Sequence, residues 1–177
     1  LGIYYLLAAD YKQKEAIREI VEDMSNWAHL NNNMVVMLEN GENISTELIG
    51  GWRALDGVAN PSGSSIMATT GLKIAYLITG NKKIKALYDK WVDVLQYKKF
   101  KDSDVSFMGR ERLNYDDTDH LLPDLYLLNL IEEDKDLLAF YRKCVKDSWS
   151  VHKNDKLSWF NYIYQAVLGD EYGDKVG

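Results

Sequence analysis

One cysteine, Cys144, stands in 177 residues, so no intrachain disulfide can brace the fold and the redox compartment is left open. Beside the apolar stripe of a helix, it reads as an inert, packed thiol rather than a nucleophile. Long apolar runs are lacking as well. Apolar stretches such as residues 74–78 and 125–128 fall far short of the roughly 20 residues that cross a bilayer. A basic excess is also absent: the net charge of −6, with no broad basic patch, argues against nucleic acid as the main ligand. Only Tyr97-Lys98-Lys99-Phe100-Lys101 is locally basic, and a solvated helix end accounts for it. There is no initiator methionine and no signal peptide; the chain opens at Leu1 inside what already reads as a helix, which leads us to expect further sequence upstream.

What is present is a repeat. Apolar helices run into short turns at Ala9-Asp10, Gly80-Asn81, Glu133-Asp134 and Gly169-Asp170, and an amphipathic helix follows each turn, the fourth being cut off by the end of the chain. A hairpin of this kind cannot bury its apolar face alone and requires neighbours. The first helix of each pair (residues 3–9, 66–78, 121–131 and 159–168) is apolar almost all round, which predicts burial on most sides. The second carries one stripe: Ile17, Ile20, Val21, Met24 and Trp27; then Ile84, Leu87, Trp91 and Val94; then Leu138, Tyr141, Val145 and Trp149. That i, i+3, i+4, i+7 spacing predicts one wet face. Buried helices inside amphipathic ones make an all-α domain over residues 1–177, arranged as part of an α/α toroid. Three and a half hairpins leave such a ring incomplete, so a further segment or a second copy is expected to cover the open inner face.

Asn81, Asp134 and Asp170 sit where N-caps belong, Gly80 suits a left-handed helix end, and Ser64 or Ser65 would cap the helix that follows. Pro123 is expected near the first turn of its helix, or at a kink. The other connections, residues 31–64, 98–118 and 150–157, include two far beyond the usual two to eight residues. All three precede inner helices and so share one face of the array, together with helix N-termini that favour anionic or hydroxyl-rich ligands.

Candidate chemistry concentrates on that face. Gly50-Gly51-Trp52-Arg53-Ala54-Leu55-Asp56-Gly57 would let backbone approach a ligand, with Trp52 stacking, Arg53 pairing with a carboxylate and Asp56 alongside; alternatively Trp52 plugs its loop into the core. Tyr115-Asp116-Asp117-Thr118-Asp119-His120 gathers three carboxylates and an imidazole. Close like charges drive carboxyl pKa values apart and can furnish a general acid and base from Asp117, Asp119 and His120. The competing reading is a capping cluster with Thr118 or Asp119 as N-cap. The spacing lacks the helical i, i+4 pattern of a strong zinc motif, so neither metal nor cofactor is expected. Trp159 and Asn161 open the last inner helix, where they line a cavity or, for Trp159, pack into the core. His29 and His152 read as surface or satisfied histidines.

The segment Thr70-Gly71-Leu72-Lys73-Ile74-Ala75-Tyr76-Leu77-Ile78-Thr79-Gly80-Asn81 resembles the LKxAYxITGD hairpin of six-hairpin glycosidase-like proteins. From Asp116 through Leu125 and Tyr141 to Trp159-Phe160-Asn161-Tyr162-Ile163-Tyr164, the chain resembles a group of largely uncharacterised bacterial members. The resemblance implies a toroid whose long loops build a cleft, with Trp52, Arg53, Asp116, Asp117, Asp119 and His120 facing it; Tyr115, Trp159 and Asn161 are further candidate ligand contacts from the residues themselves. It also implies a carbohydrate ligand, with glycoside hydrolysis or uronic-acid elimination as the chemistry. A non-catalytic scaffold that binds sugar or protein on the same face is the alternative. A third reading, an α/α enzyme for an apolar substrate, would require an Asp-rich metal motif.

Overall fold

The computed structural model describes residues 1–30, 63–95, 97–102, 115–154 and 158–169; within these, the side chains of residues 25, 27–30, 63–65, 68, 94 and 115–120 fall outside the description. The elements are α1 (Gly2–Leu7), α2 (Tyr11–Leu30), α3 (Gly63–Thr79), α4 (Lys82–Val94), a 3-10 turn (Tyr97–Phe100), α5 (Tyr115–Ile131), α6 (Lys135–His152) and α7 (Ser158–Leu168). Among the described residues there is no strand, as the helical periodicity predicts. No described helix is long and apolar enough to cross a membrane.

The turns lie where the sequence puts them, and local hydrogen bonds explain why. Between α1 and α2, Asp10 and Gln13 form a reciprocal capping box: the Gln13 N–H donates to Asp10 Oδ1 and the Asp10 N–H to Gln13 Oε1, both at 2.9 Å, satisfying donors that a helix start leaves open. Between α3 and α4, Gly80 takes φ 67°, a left-handed value that only glycine adopts without strain. Asn81 Oδ1 then accepts the Lys83 N–H at 2.9 Å. Before α6, Asp134 Oδ1 accepts from the N–H groups of Asp136 and Leu137 at 2.9 and 3.2 Å, while Glu132 Oε1 accepts from those of Glu133 and Asp134. Gly169, at φ 65°, ends α7 as Gly80 ends α3; Asp170 lies outside the described residues.

The helices distribute between two compact units. The first holds α1, α2, α4 and α3 from Ala68 onward. Its buried side chains include Ile17 and Val21 of α2, Thr69, Thr70, Leu72, Ile74, Ala75 and Ile78 of α3, Ile84, Tyr88, Trp91 and Val92 of α4, and Leu95 just after it. The Lys73 ammonium lies 4.8 Å from the centre of the Tyr88 ring, within cation–π range. The second unit contains the 3-10 turn, α5, α6 and α7. Leu121, Leu122, Leu125 and Leu128 are all but sealed from water, as are Phe140, Tyr141, Cys144 and Val145. Tyr97, fully buried, stacks on Phe140 with ring centres 4.8 Å apart and 20° between planes; its edge meets Tyr141.

Several expectations require correction. Helix α1 is not buried on most sides: Tyr4 and Leu7 are exposed and only Gly2 is buried. On α2 the predicted stripe splits, with Ile17 and Val21 buried but Ile20 and Met24 exposed; Trp27 lies among the undescribed side chains. In α7, Phe160, Ile163 and Tyr164 are buried while Trp159 and Tyr162 are exposed. On α6 the stripe keeps Tyr141, Val145 and Trp149, loses Leu138, which is only half-buried, and adds Leu137, Phe140, Cys144, Ser148 and His152. The physical reason is common to all of these. Periodicity reports which side of a helix is apolar, whereas burial also requires a neighbour on that side. Ser64 and Ser65 lie inside the first turn of α3, which begins at Gly63, and neither is its cap. Finally, the basic run is not a free helix end: Lys98 Nζ donates to Asp134 Oδ2 and Lys101 Nζ to Asp136 Oδ1, tying the 3-10 turn to the start of α6.

Candidate functional site

The aspartate cluster belongs to a helix rather than to the end of a loop. Helix α5 begins at Tyr115, well before the first apolar residue of its periodic run, Leu121. Carboxylates in a first helical turn offset the positive end of the helix dipole, so Asp116 and Asp117 are favourable there although they carry no apolar signal. The capping role expected of Thr118 or Asp119 is therefore corrected: both are interior positions of α5. Pro123 is likewise in the interior, and since it has no N–H, the carbonyl of residue 119 receives no bond from it.

A helical backbone sorts the cluster. Positions three or four apart share a face, and positions two apart do not. Residues 116, 119 and 120 therefore lie on one face, and 117 pairs with 120. Positions 117 and 119, the two expected to furnish an acid and a base, are on different faces, so a working pair drawn from this helix alone is better placed at 116 and 119, 116 and 120, or 117 and 120. The side chains of Tyr115, Asp116, Asp117, Asp119 and His120 fall outside the description. Trp52, Arg53 and Asp56 lie wholly outside the described residues.

Topology supplies a partner for the cluster. Helices α5, α6 and α7 pack on one another. The short connection of residues 132–134 makes α6 antiparallel to α5, and the five-residue link from α6 to α7 reverses direction again. Helices α5 and α7 therefore run parallel, and their first turns lie at the same end of the unit, beside the end of α6. At that end the Trp149 indole N–H donates to Asn161 Oδ1 at 2.7 Å, and the Trp149 ring lies 4.4 Å from that of Tyr164. His152 is buried, at 6% exposure, with its ring centre 5.2 Å from that of Phe160. Asn161 is thus committed to orienting Trp149.

Trp159 is 50% exposed and Tyr162 is 70% exposed, so the packing role weighed for Trp159 is corrected: its indole presents a large surface to solvent. Three residues apart, the two aromatics share a face of α7. Tyr162 was not singled out from the sequence; its position one turn beyond Trp159 is the signal that could have found it. Between Ser158 and Leu168 the helix carries no charged residue, so this face offers aromatic planes and uncharged hydrogen-bonding groups.

An ion-paired helix cap lies at the other end of the unit. Asp134 is held below the ordinary carboxylate range, chiefly by the Lys98 ammonium and then by the backbone N–H groups that it caps; Lys98 is raised in return. This is anchoring chemistry, which fixes the 3-10 turn on α6. Burial drives the Cys144 thiol well above its usual pKa, which removes it as a nucleophile. Among the described residues no group of histidine, cysteine, aspartate and glutamate could hold a metal ion.

Compared with known proteins, the chain matches no family model, no curated protein and no solved structure.

Proposed function

We propose that this chain is a carbohydrate-active helical protein whose hairpins belong to an α/α toroid of the six-hairpin glycosidase-like class. It acts at the end of α5 and α7 by hydrolysing, or as a variant eliminating, glycosidic bonds of a poly- or oligosaccharide. The observation that carries this reading is the meeting of two features at one end of a packed unit: the acidic first turns of α5, and the exposed aromatics Trp159 and Tyr162 on α7. Aromatic faces pack on the apolar faces of sugar rings while their edges and neighbours remain wet. Hydrolysis requires two carboxylates flanking the bond, at a separation that sets the stereochemical outcome. A helix face carrying residues 116, 119 and 120 provides one of them, and the second is expected from another segment, with Trp52, Arg53 and Asp56 on the first long connection as further ligand contacts. A second copy or a further segment is expected to complete the inner face of the ring.

The test is thermal shift of the chain with panels of neutral and acidic oligosaccharides, repeated with Trp159→Ala, a substitution at an exposed site that leaves the core intact. A shift that disappears in the variant is the expected result. Absence of any shift across both panels, or a shift that Trp159→Ala and Trp52→Ala both leave unchanged, overturns the reading. On any hit, Asp116→Asn and Asp119→Asn separate catalysis from scaffolding. Loss of turnover with an unchanged melting temperature marks a catalytic carboxylate. Binding that survives both changes, with no turnover in the unmodified protein, marks the non-catalytic scaffold.

A further inference from the structure

We draw no further inference here: the strongest candidate, the set of exposed apolar side chains on the α1–α2 hairpin (Tyr4, Leu7, Tyr11, Ile20 and Met24), is an apolar surface for which nothing in the structure shows what covers it.

Discussion

Asp134 does two things at once: one carboxylate oxygen caps α6 and the other accepts from Lys98. The capping half carries more of the stability, because an N-cap is worth about 1 kcal/mol whereas an ion pair as exposed as this one contributes between nothing and about 1 kcal/mol. Asp134→Ala should therefore lower stability by about 1 kcal/mol in urea titration, and Asp134→Asn by less, since the amide oxygen still caps. The pH dependence follows from the direction of the shift. A carboxylate depressed in the folded state adds stability that is present above its ordinary value of 3.8 and is lost as pH falls through the lower folded value. The difference in stability between the native protein and Asp134→Asn should thus shrink as pH is lowered below about 4, measured by urea midpoints across the acid range. Cys144, with no exposed surface and a raised pKa, should resist a thiol reagent in the native protein and react only on unfolding; rapid labelling of the folded chain would contradict its placement. Of these residues, the caps Asn81 and Asp134 were legible in the sequence, because a cap bonds to N–H groups two or three residues away. The Lys98–Asp134 pair was not, since its partners are 36 residues apart and no local pattern joins them.

At the level of elements, α5 is the most informative. Had it begun at Leu121, Pro123 would occupy a first turn, where its missing N–H costs nothing. With the helix beginning at Tyr115, proline in the interior forfeits a backbone bond and crowds the preceding turn, a penalty of about 3 kcal/mol. Pro123→Ala should consequently stabilise the protein, by about 1–3 kcal/mol after allowance for the unfolded-chain entropy that proline removes; a neutral or destabilising result would argue for the later start. The turn at Tyr97 is held by burial of its ring as well as by the Lys98–Asp134 and Lys101–Asp136 pairs. Tyr97→Ala forfeits the stack on Phe140 and leaves a cavity, for which a loss of about 3 kcal/mol or more is expected. The link between α6 and α7 is tested by Asn161→Ala, which strands the buried indole N–H of Trp149 and should cost about 1–3 kcal/mol in denaturant midpoint. Periodicity located α5, α6 and α7 but misjudged where α5 starts, because its first six residues are polar or aromatic and add nothing to an apolar period.

For the whole molecule, the net charge of −6 and an isoelectric point near 5.1 place minimum solubility around pH 5, where self-repulsion vanishes and the exposed Ile20, Met24, Trp159 and Tyr162 face no electrostatic barrier to association. Turbidity against pH should peak there and fall on either side. The candidate site is likewise a property of the assembled unit. Asp116, Asp117, Asp119 and His120 were legible as a cluster and Trp159 as the start of an inner helix, both expected on one face from the alternation of the hairpins; the packing of α5, α6 and α7 into one unit is what tertiary structure adds. Legible along the chain were the helical class, the turns at Ala9-Asp10, Gly80-Asn81 and Glu133-Asp134, and the caps Asn81 and Asp134, all of which depend on interactions within a few residues. Packing between distant segments decided that Leu121, Leu122, Leu125 and Leu128 of α5 would be sealed while α1 and one side of α7 stay open, that a lysine run would be tied to the start of α6, and that Trp159 would face solvent. Each of those outcomes depends on which distant segment lies alongside, and apolar periodicity is the same whether or not a neighbour is there.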